Sequence, residues 1–366
     1  MAEETDVAAP QRLRVTHPQG AYEVVAGEGA LAAATAEVLA WCRNRTCFVV
    51  TTPRVWSLHG ASLAPLLASA SDVHRLEVPE GEAAKRLDVA GDLWERMLEA
   101  GGKRDSRLVA FGGGSVGDLG GFAAACFLRG IAVYQVPTTL LAQVDASVGG
   151  KTAIDLPGGK NTVGAFHQPA GVIADVDLLA TLPDPELRAG LVEVVKMAAT
   201  LDVACFRRLE AVFDALLARR GDALSEAVVA AIEMKRRVVE ADPWEGDSRR
   251  LLNFGHTLGH ALEAVAGYGA LRHGEAVAHG MRFALILARR RGLDAEPAAR
   301  IETLIARLEP PPLPELDREA LMAAMSRDKK ARRGGLAWVL PTAVGGAEIR
   351  QDVGWDEVEE ALEGFV

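Results

Sequence analysis

The chain has 366 residues, 49% of them hydrophobic, and 40 Lys+Arg against 50 Asp+Glu give a formal net charge of −10. This length suggests about two domains, and the composition is that of a folded globular protein. The negative charge argues against nucleic acid or a membrane surface as a partner, because binding either would start from repulsion. The acidic N-terminus lacks the apolar core of a signal peptide, and no window predicts a membrane span. The 4 cysteines, with no CxxC pair, fit the reducing cytoplasm.

The first half of the chain alternates short β-branched runs with helical patterns. Alternation of this kind predicts an α/β sheet with helices on its faces. Predicted helices in this half include Leu31–Cys42 and Ala84–Ala100. The predicted strands are Leu13–His17, Tyr22–Ala26, Thr46–Thr51, His74–Val78, Arg107–Phe111, Ala132–Val136 and Val172–Val176.

The pattern changes near Thr181–Pro185, beyond which long amphipathic segments follow one another with few strand signals. We therefore place a domain boundary near residue 180 and predict a mainly helical second half. The prolines of Glu309–Pro314 are expected to form a rigid connector. A strand pair, Leu336–Leu340 with Glu348–Gln351, and a closing helix near Asp356–Glu363 are expected after it. The predicted helices are Pro185–Thr200, Val203–Arg219, Ser225–Ala241, Arg249–Ala266, Gly274–Arg291 and Pro297–Leu308.

Glycines cluster directly after a predicted strand, in the segment Arg107–Gly121. Gly112, Gly114 and Gly117 have the GxGxxG spacing of a dinucleotide-binding turn. Glycine lets the backbone approach a pyrophosphate, and the amide groups at a helix start favour an anion. The acidic residue expected at the ribose about 20 residues later is missing. A tight turn between strand and helix, without a ligand, therefore stays open as an alternative.

Two glycine–lysine pairs follow, beginning at Gly150 and Gly159. Neither completes a P-loop, since Asp145 stands at the first glycine position of one and an asparagine replaces the magnesium-binding hydroxyl of the other. What remains is Lys151 and Lys160 in glycine-rich loops, where a lysine suits an anion as a mobile point charge. Taken singly, each lysine is more typical of a solvated surface charge.

The strongest signal for chemistry is the segment Asn253–His260, with His273 downstream. His256 and His260 are four residues apart, so they share one face of a helix. Imidazole nitrogens suit Zn²⁺, which commonly takes three protein ligands at catalytic sites, and a carboxylate would complete such a set. The spacing therefore indicates a metal site, while a pair of partly buried, hydrogen-bonded histidines is the alternative.

A charged pair, Glu193 and Lys196, lies one turn apart in the largely apolar segment Leu187–Ala199, where it marks either an exposed flank or a site. Several cations flank these helices. Most such clusters are solvated helix faces, but an acidic protein that binds a phosphate needs several cations to converge on it. These cations are Lys235, Arg236, Arg237, Arg249, Arg250, Lys329 and Lys330.

Taken together, these motifs resemble the 3-dehydroquinate synthase family of sugar phosphate cyclases. The resemblance runs from Glu80 to Leu340 and is weaker outside these limits. It rests on long segments rather than on single residues. The segments are Gly112–Phe122, Val136–Thr152, Gly159–Pro169, Ala189–Lys196, Leu252–His260 and His273–Val277.

The resemblance implies a dehydroquinate synthase-like fold, with the active site in the cleft between two domains. Residues 1–180 would be a Rossmann-like α/β domain that binds NAD, and residues 181–366 a mainly helical domain that binds metal and substrate. One divalent ion, Zn²⁺ or Co²⁺, would be held by Glu193, His256 and His273. Spacing alone pairs His256 with His260, whereas the family pattern places His260 beside the substrate. The resemblance also implies a homodimer.

The remaining site residues are carried over from the family motifs. Thr51–Pro53 departs from the family, which usually has Asp or Asn near the adenosine here, so the adenine-side contacts stay open. The implied NAD contacts are Glu82, Lys85, Gly114, Ser115, Val116, Gly117, Asp118, Thr138, Thr139, Lys151, Lys160, Leu178 and Thr181. The implied substrate contacts are Arg129, Asp145, Lys151, Asn161, Lys196, Lys235, Arg249, Asn253, His260 and Lys330, with Lys329 as the alternative to Lys330.

The family reaction belongs to the shikimate pathway of aromatic amino acid biosynthesis and converts 3-deoxy-D-arabino-heptulosonate 7-phosphate into 3-dehydroquinate and phosphate. NAD⁺ takes a hydride from C5, phosphate leaves by β-elimination and the hydride returns. The ring then opens, and an intramolecular aldol addition closes the carbocycle. Two relatives remain as alternatives, a cyclase acting on sedoheptulose 7-phosphate and a metal-dependent polyol dehydrogenase. A non-catalytic NAD-binding module is disfavoured, because no implied metal ligand or basic residue is lost.

Overall fold

The computed structural model describes residues 9–246, 248–267, 269–331 and 336–365, without the side chains of residues 327–331. Its contacts divide the chain into two compact units. The first unit comprises the residues up to Pro183 together with Ala218–Arg236. The second comprises Asp184–Leu217 together with the residues from Arg237 onward.

A mainly parallel sheet forms the centre of the first unit. Its strands, with a separate hairpin, are β1 (Gln11–His17), β2 (Gly20–Gly27), β3 (Thr46–Thr51), β4 (Asp72–Glu77), β5 (Arg107–Gly112), β6 (Ala132–Pro137), β7 (Lys151–Leu156), β8 (Gly159–Phe166) and β9 (Gly171–Asp175). The order in the large sheet is β1-β2-β9-β6-β5-β3-β4. β1 is antiparallel to β2, and the other neighbours are parallel. The seven strands predicted from sequence in this half are confirmed.

Helices cover both faces of this sheet, because alternate residues of a strand point to opposite sides. They are α1 (Ala30–Cys42), α2 (Pro53–Leu63), α3 (Leu87–Glu99) and α4 (Gly114–Cys126). Phe48 and Val50 of β3 pack in a core with residues of α3 and α4. Cys47 and Val49 of the same strand pack in a core with residues of α1.

The strand order reverses between β3 and β5. The chain passes from β3 outward to β4, whereas β5 is followed by β6 and β9 on its other side. Ligands of open α/β sheets bind outside the carboxyl ends of the strands at such a reversal. At this edge β3 ends at Thr51 and is followed by Thr52, and β5 ends at Gly112 and is followed by Gly113. The topology therefore places the glycine-rich turn at the expected ligand position.

The segment from β7 to β8 corrects an expectation. The sequence predicts glycine-rich loops around Lys151 and Lys160, whereas the structure shows an antiparallel hairpin. Lys151 opens β7, and Lys160 is the second residue of β8. Thr152 and Ile154 are buried on alternate positions of β7, but the flanking glycines hid this short period of two.

The second unit is mainly helical, as expected. The helix α7 (Gly221–Ala241) lies in the first unit up to Arg236 and ends in the second. The other helices of the second unit are α5 (Asp184–Leu201), α6 (Val203–Leu217), α8 (His256–Ala266), α9 (His273–Arg290), α10 (Ala295–Arg307), α11 (Arg318–Ala331) and α12 (Trp355–Glu363). The predicted strand pair is present as β10 (Trp338–Ala343) and β11 (Gly346–Arg350). Among the described helices, none has the length and apolarity needed to cross a membrane.

The prediction of one helix over Arg249–Ala266 is wrong. A 3₁₀ turn, Ser248–Asn253, comes first, and α8 begins only at His256. Gly255 between them has a φ of 80°. A residue in this left-handed region cannot continue a right-handed helix. The break makes His256 the first residue of its helix.

Candidate functional site

The turn from β5 into α4 brings helix and sheet unusually close. A side chain at Gly117 would lie 2.9 Å from Oε1 of Gln135 on β6. A side chain at Gly120 would lie 2.9 Å from the Cβ of Ala110 on β5. Glycine at these positions allows this separation without displacing a neighbour. The first-turn amide groups of Gly114–Val116 are oriented for binding an anion, whereas the amide of Gly117 already donates to the carbonyl oxygen of Gly113.

Lys85 is the centre of a charged network beside this turn. Its Nζ donates to Oδ2 of Asp118 at 2.7 Å, donates to Oδ1 of Asn161 and lies 3.8 Å from Oδ1 of Asp155. Burial lowers the pKa of Lys85, but the charges of Asp118 and Glu82 outweigh burial and raise it. Lys85 therefore stays charged and joins α4 to the β7–β8 hairpin.

Other predicted NAD contacts lie around the carboxyl ends of the strands. Oγ1 of Thr181 is 2.7 Å from Nε2 of His59. Oε1 of Glu82 is 3.5 Å from Oγ of Ser115. Thr138 directly follows β6 and is buried. Val116 and Leu178 are buried as well, Thr139 and Lys160 are half-buried, and Lys151 is exposed.

Two further residues of the first unit lie in unusual backbone. Asp145 belongs to a π-helical turn, Ala142–Ala146, and its side chain and carbonyl both accept hydrogen bonds from Nζ of the buried Lys235. Arg129 lies within Leu128–Gly130, where φ takes the values 48°, 69° and 116°. Strained backbone of both kinds is common at functional sites.

Three helices of the second unit bring Glu193, His256 and His273 together. One nitrogen or oxygen of each lies within 4.8 Å of those of the other two. Glu193 is 0% exposed, and its Oε2 accepts a hydrogen bond from Lys196. Its Oε1 has no hydrogen-bond partner among the described residues. A buried carboxylate oxygen without a donor is costly, so this set of two imidazoles and one carboxylate fits a divalent cation.

His256 is prepared to act as a neutral ligand. Burial, followed by the positive charges of Lys196 and His273, holds its pKa well below the usual range. Its Nδ1 lies 3.2 Å from the carbonyl oxygen of Phe254. If Nδ1 carries the proton, it donates a hydrogen bond to that carbonyl oxygen. The lone pair of Nε2 is then available to a cation.

A second donor group shares His273. It consists of His260, Glu263 and His273, whose ligand atoms also lie within 4.8 Å of one another. His260 is exposed, and its ring centroid lies 5.3 Å from that of His256. The oxygen of Glu193 that lacks a donor favours the first group as the metal site. This group contains His256 but not His260, which the spacing alone pairs with His256.

Glu263 was missed from the sequence. It follows His256 by seven residues and His260 by three, so all three share one face of α8. It is a carboxylate that is only 4% exposed. The sequence did contain a signal for it, because Glu263 is a charged residue on the same face as the two histidines of a mainly apolar helix.

Glycines set the separation of the helices that carry the three candidate ligands. A side chain at Gly280 of α9 would overlap the carbonyl oxygen of Gly255, which directly precedes α8. A side chain at Gly274, next to His273, would overlap the carbonyl oxygen of Ala189 on α5. Backbone contact at these glycines therefore brings the donor atoms within reach of one ion.

A small cavity beside His256 is lined by two of the predicted substrate residues, Asn253 and His260. Arg249 of the preceding turn is buried and donates to the carbonyl oxygen of Pro243 at 3.1 Å. The side chains of Lys329 and Lys330 lie outside the described residues. The cavity is lined by Arg250, Asn253, His256, Thr257, His260, Ala337 and Val339.

Family models match most of the chain. The model of the 3-dehydroquinate synthase N-terminal region matches residues 75–189, and that of the C-terminal region matches residues 190–331. This chain belongs to the 3-dehydroquinate synthase family. A 3-dehydroquinate synthase from Geobacter metallireducens is 45% identical, over 90% of this chain and 92% of the relative. One from Caulobacter vibrioides is also 45% identical, over 91% and 93%.

Solved structures confirm the dehydroquinate synthase-like fold. A 2-epi-5-epi-valiolone synthase from Streptomyces hygroscopicus, with NAD⁺ and Zn²⁺ bound, is 30% identical with a TM-score of 0.85, covering 94% of this chain and 96% of that one. A 2-deoxy-scyllo-inosose synthase complexed with carbaglucose-6-phosphate, NAD⁺ and Co²⁺ is 26% identical with a TM-score of 0.88, covering 97% and 100%. Glycerol dehydrogenase from Schizosaccharomyces pombe, at 18% identity and a TM-score of 0.66, shares the fold.

Proposed function

We propose that this 3-dehydroquinate synthase family member converts 3-deoxy-D-arabino-heptulosonate 7-phosphate into 3-dehydroquinate and phosphate. The group of Glu193, His256 and His273 carries the proposal, because one oxygen of its buried carboxylate has no hydrogen-bond donor among the described residues. Relatives named for this activity at 45% identity support it. The reaction is a phosphate-eliminating carbon–oxygen lyase reaction, whose redox steps cancel over a turnover.

The proposed cofactors are NAD⁺ and one divalent ion, Zn²⁺ or Co²⁺. The two solved cyclases with bound NAD⁺ support this, as does the donor set of the second unit. NAD⁺ supplies reversible hydride transfer, and the ion supplies Lewis acidity for substrate hydroxyl groups. Glu193, His256 and His273 would hold the ion, and the Gly114–Asp118 turn would hold the pyrophosphate.

The phosphate of the substrate requires cations and donors at fixed positions. We assign it to Arg129, Lys151, Asn161 and Lys196. The strained turn around Arg129 and the burial of Lys196 support these roles. A leaving phosphate can itself accept the neighbouring proton, so these residues would supply position and charge rather than a base.

The carboxylate and hydroxyl groups would be oriented by a second set of side chains. We assign this role to Lys235, Arg249 and Asn253, with Asp145 positioning Lys235 through their hydrogen bonds. His260 would transfer a proton, since imidazole is suited to proton transfer near neutral pH. Its exposure and its place in the cavity with Asn253 support this role.

A phosphate-release assay tests the proposed function. Purified protein with NAD⁺ and Zn²⁺ should release phosphate from the heptulosonate. Phosphate release should stop after EDTA treatment and return when Zn²⁺ or Co²⁺ is added. Sedoheptulose 7-phosphate and a simple alcohol serve as the comparison substrates. Faster phosphate release from sedoheptulose 7-phosphate, or net NADH formation from the alcohol, would contradict the proposal in favour of a related cyclase or a polyol dehydrogenase.

We assign NAD binding to residues 1–180 and metal binding, with most of the substrate contacts, to residues 181–366. The glycine turn lies in the first range, and the group of Glu193, His256 and His273 lies in the second. We further propose a homodimer in the cytoplasm, which the family resemblance supports. Light scattering on the purified protein should give twice the mass of one 38.8 kDa chain, and a monomer mass would contradict the dimer.

A further inference from the structure

The carboxylate of Glu263 is placed against the outer nitrogen of a candidate ligand. Its Oε2 lies 3.2 Å from Nδ1 of His273. The other ring nitrogen, Nε2, lies 3.9 Å from Oε1 of Glu193. Each nitrogen of this imidazole therefore faces a different carboxylate, and only one of these carboxylates belongs to the favoured metal group.

A neutral imidazole carries a proton on one nitrogen and a lone pair on the other. If Nδ1 carries the proton, it can donate to Glu263, and the lone pair of Nε2 then points toward Glu193. His256 shows the same division, with Nδ1 against the carbonyl oxygen of Phe254. Both histidines thus have an oxygen acceptor behind the ring, as metal-binding histidines commonly do.

We propose that Glu263 is a positioning residue, which fixes the proton of His273 on Nδ1 and presents Nε2 to the divalent ion. This inference rests on the proposed function and adds to it a residue that the sequence motifs did not assign. The acceptor behind His256 is a neutral carbonyl, whereas the acceptor behind His273 is a carboxylate. His273 is therefore the more strongly polarised of the two imidazoles.

The competing role for Glu263 is that of a direct ligand, in the group it forms with His260 and His273. The structure favours the positioning role for two reasons. Oε2 of Glu263 already faces a potential donor, whereas Oε1 of Glu193 has no hydrogen-bond partner among the described residues. His260 is exposed, whereas Glu193 and His256 are buried.

The test compares Glu263→Gln and Glu263→Ala with the unaltered protein. Zinc dissociation constants are measured by competition with a chelator, and the visible spectrum of the Co²⁺-loaded protein reports the coordination. We expect Glu263→Ala to weaken zinc binding about 10- to 100-fold. Glu263→Gln should lose less, because its amide oxygen can still accept the Nδ1 proton. Both variants should bind one ion and keep the Co²⁺ band pattern of the unaltered protein.

Glu186→Gln is the matched control. Glu186 accepts a hydrogen bond from Arg272, which directly precedes His273. The substitution therefore removes a carboxylate near the start of the same helix, but not one that contacts the imidazole. Its zinc affinity should be unchanged. Thermal unfolding of the metal-free proteins checks that each variant is folded, and Glu263→Gln supplies the affinity comparison if Glu263→Ala is not.

The outcomes separate this inference from the proposed function. Zinc affinity within twofold of the unaltered protein in both Glu263 variants would overturn the positioning role while leaving the proposed activity in place. A changed Co²⁺ band pattern in Glu263→Gln would show a direct ligand and also overturn it. Failure of the unaltered protein to bind zinc would overturn the metal site itself, and with it both proposals.

Discussion

Close glycine packing serves different ends in the two units. In the first unit, Gly117 and Gly120 bring α4 against the sheet, and the nearby charges of Lys85 and Asp118 pair with each other. In the second unit, glycines bring helices into backbone contact, and Oε1 of the buried Glu193 has no hydrogen-bond partner among the described residues. The first arrangement surrounds a cation with carboxylates, whereas the second brings donor atoms together and leaves one carboxylate oxygen for a cation.

Removing a candidate metal ligand of the second unit should cause the greatest loss of function. His256→Ala should abolish tight zinc binding and lower kcat/KM about 1000-fold, or about 4 kcal/mol. Metal analysis of the dialysed protein and the phosphate-release assay measure the two effects. His17→Ala, on the first strand, is the control and should change neither quantity. If His256→Ala still binds one zinc ion tightly, then His256 is not a required ligand, and the difference drawn between the two units is wrong.

The next effect tests the helix contact itself. Gly280→Ala places a methyl group against the carbonyl oxygen of Gly255. We expect the free energy of unfolding to fall by about 3 kcal/mol, since backbone on both sides cannot give way cheaply. Urea unfolding of the metal-free protein measures it. A loss below about 0.5 kcal/mol, within the range of ordinary surface changes, would show that the contact is not tight.

Lys85→Met tests the charge pairing of the first unit. Removing the cation from Asp118 and Asp155 should cost about 2 kcal/mol at neutral pH. The pKa of Lys85 is raised above its ordinary 10.5, so its contribution is present below that pH and is lost as the pH rises through the raised value. The cost should therefore stay constant between about pH 6 and 9 and shrink under more alkaline conditions. A cost that instead disappears below about pH 9 would contradict the pairing.

The smallest effect has the opposite sign. Gly91 lies inside α3, and a side chain there would meet nothing within 4 Å. Gly91→Ala should raise the free energy of unfolding by about 0.5 to 1 kcal/mol, because alanine loses less conformational freedom in a helix. It is the matched partner of Gly280→Ala in the same urea experiment. Similar effects of the two substitutions would show that packing does not distinguish these glycines.

The spacing of apolar residues predicted those helices and strands whose buried face can be read from the element's own sequence. The strands of the large sheet and the helix α1, predicted over Leu31–Cys42, are of this kind. The break at Gly255 could not be predicted, because the apolar period continues through Arg249–Ala266, and the close contact with Met281 on another helix accompanies the turn. The β7–β8 hairpin was missed because glycines interrupt a short alternation.

The site shows the same limit. Residue types and family motifs indicated Glu193, His256 and His273, and the structure brings these three together. Glu263 could not be assigned, because its contact depends on how α8 and α9 pack after the intervening loop. Spacing within one helix gives shared faces, whereas the contact of Glu263 with His273 is set by the crossing of two helices.

Anomalous diffraction from crystals of the zinc-loaded protein shows which side chains hold the ion. Data collected on both sides of the zinc absorption edge locate the ion without reference to activity. We predict one peak about 2.0 to 2.2 Å from Glu193 Oε1, His256 Nε2 and His273 Nε2, with Glu263 outside bonding distance. An ion coordinated by His260 and Glu263, or an ion that lies beyond bonding distance of Glu193, would contradict this ligand set.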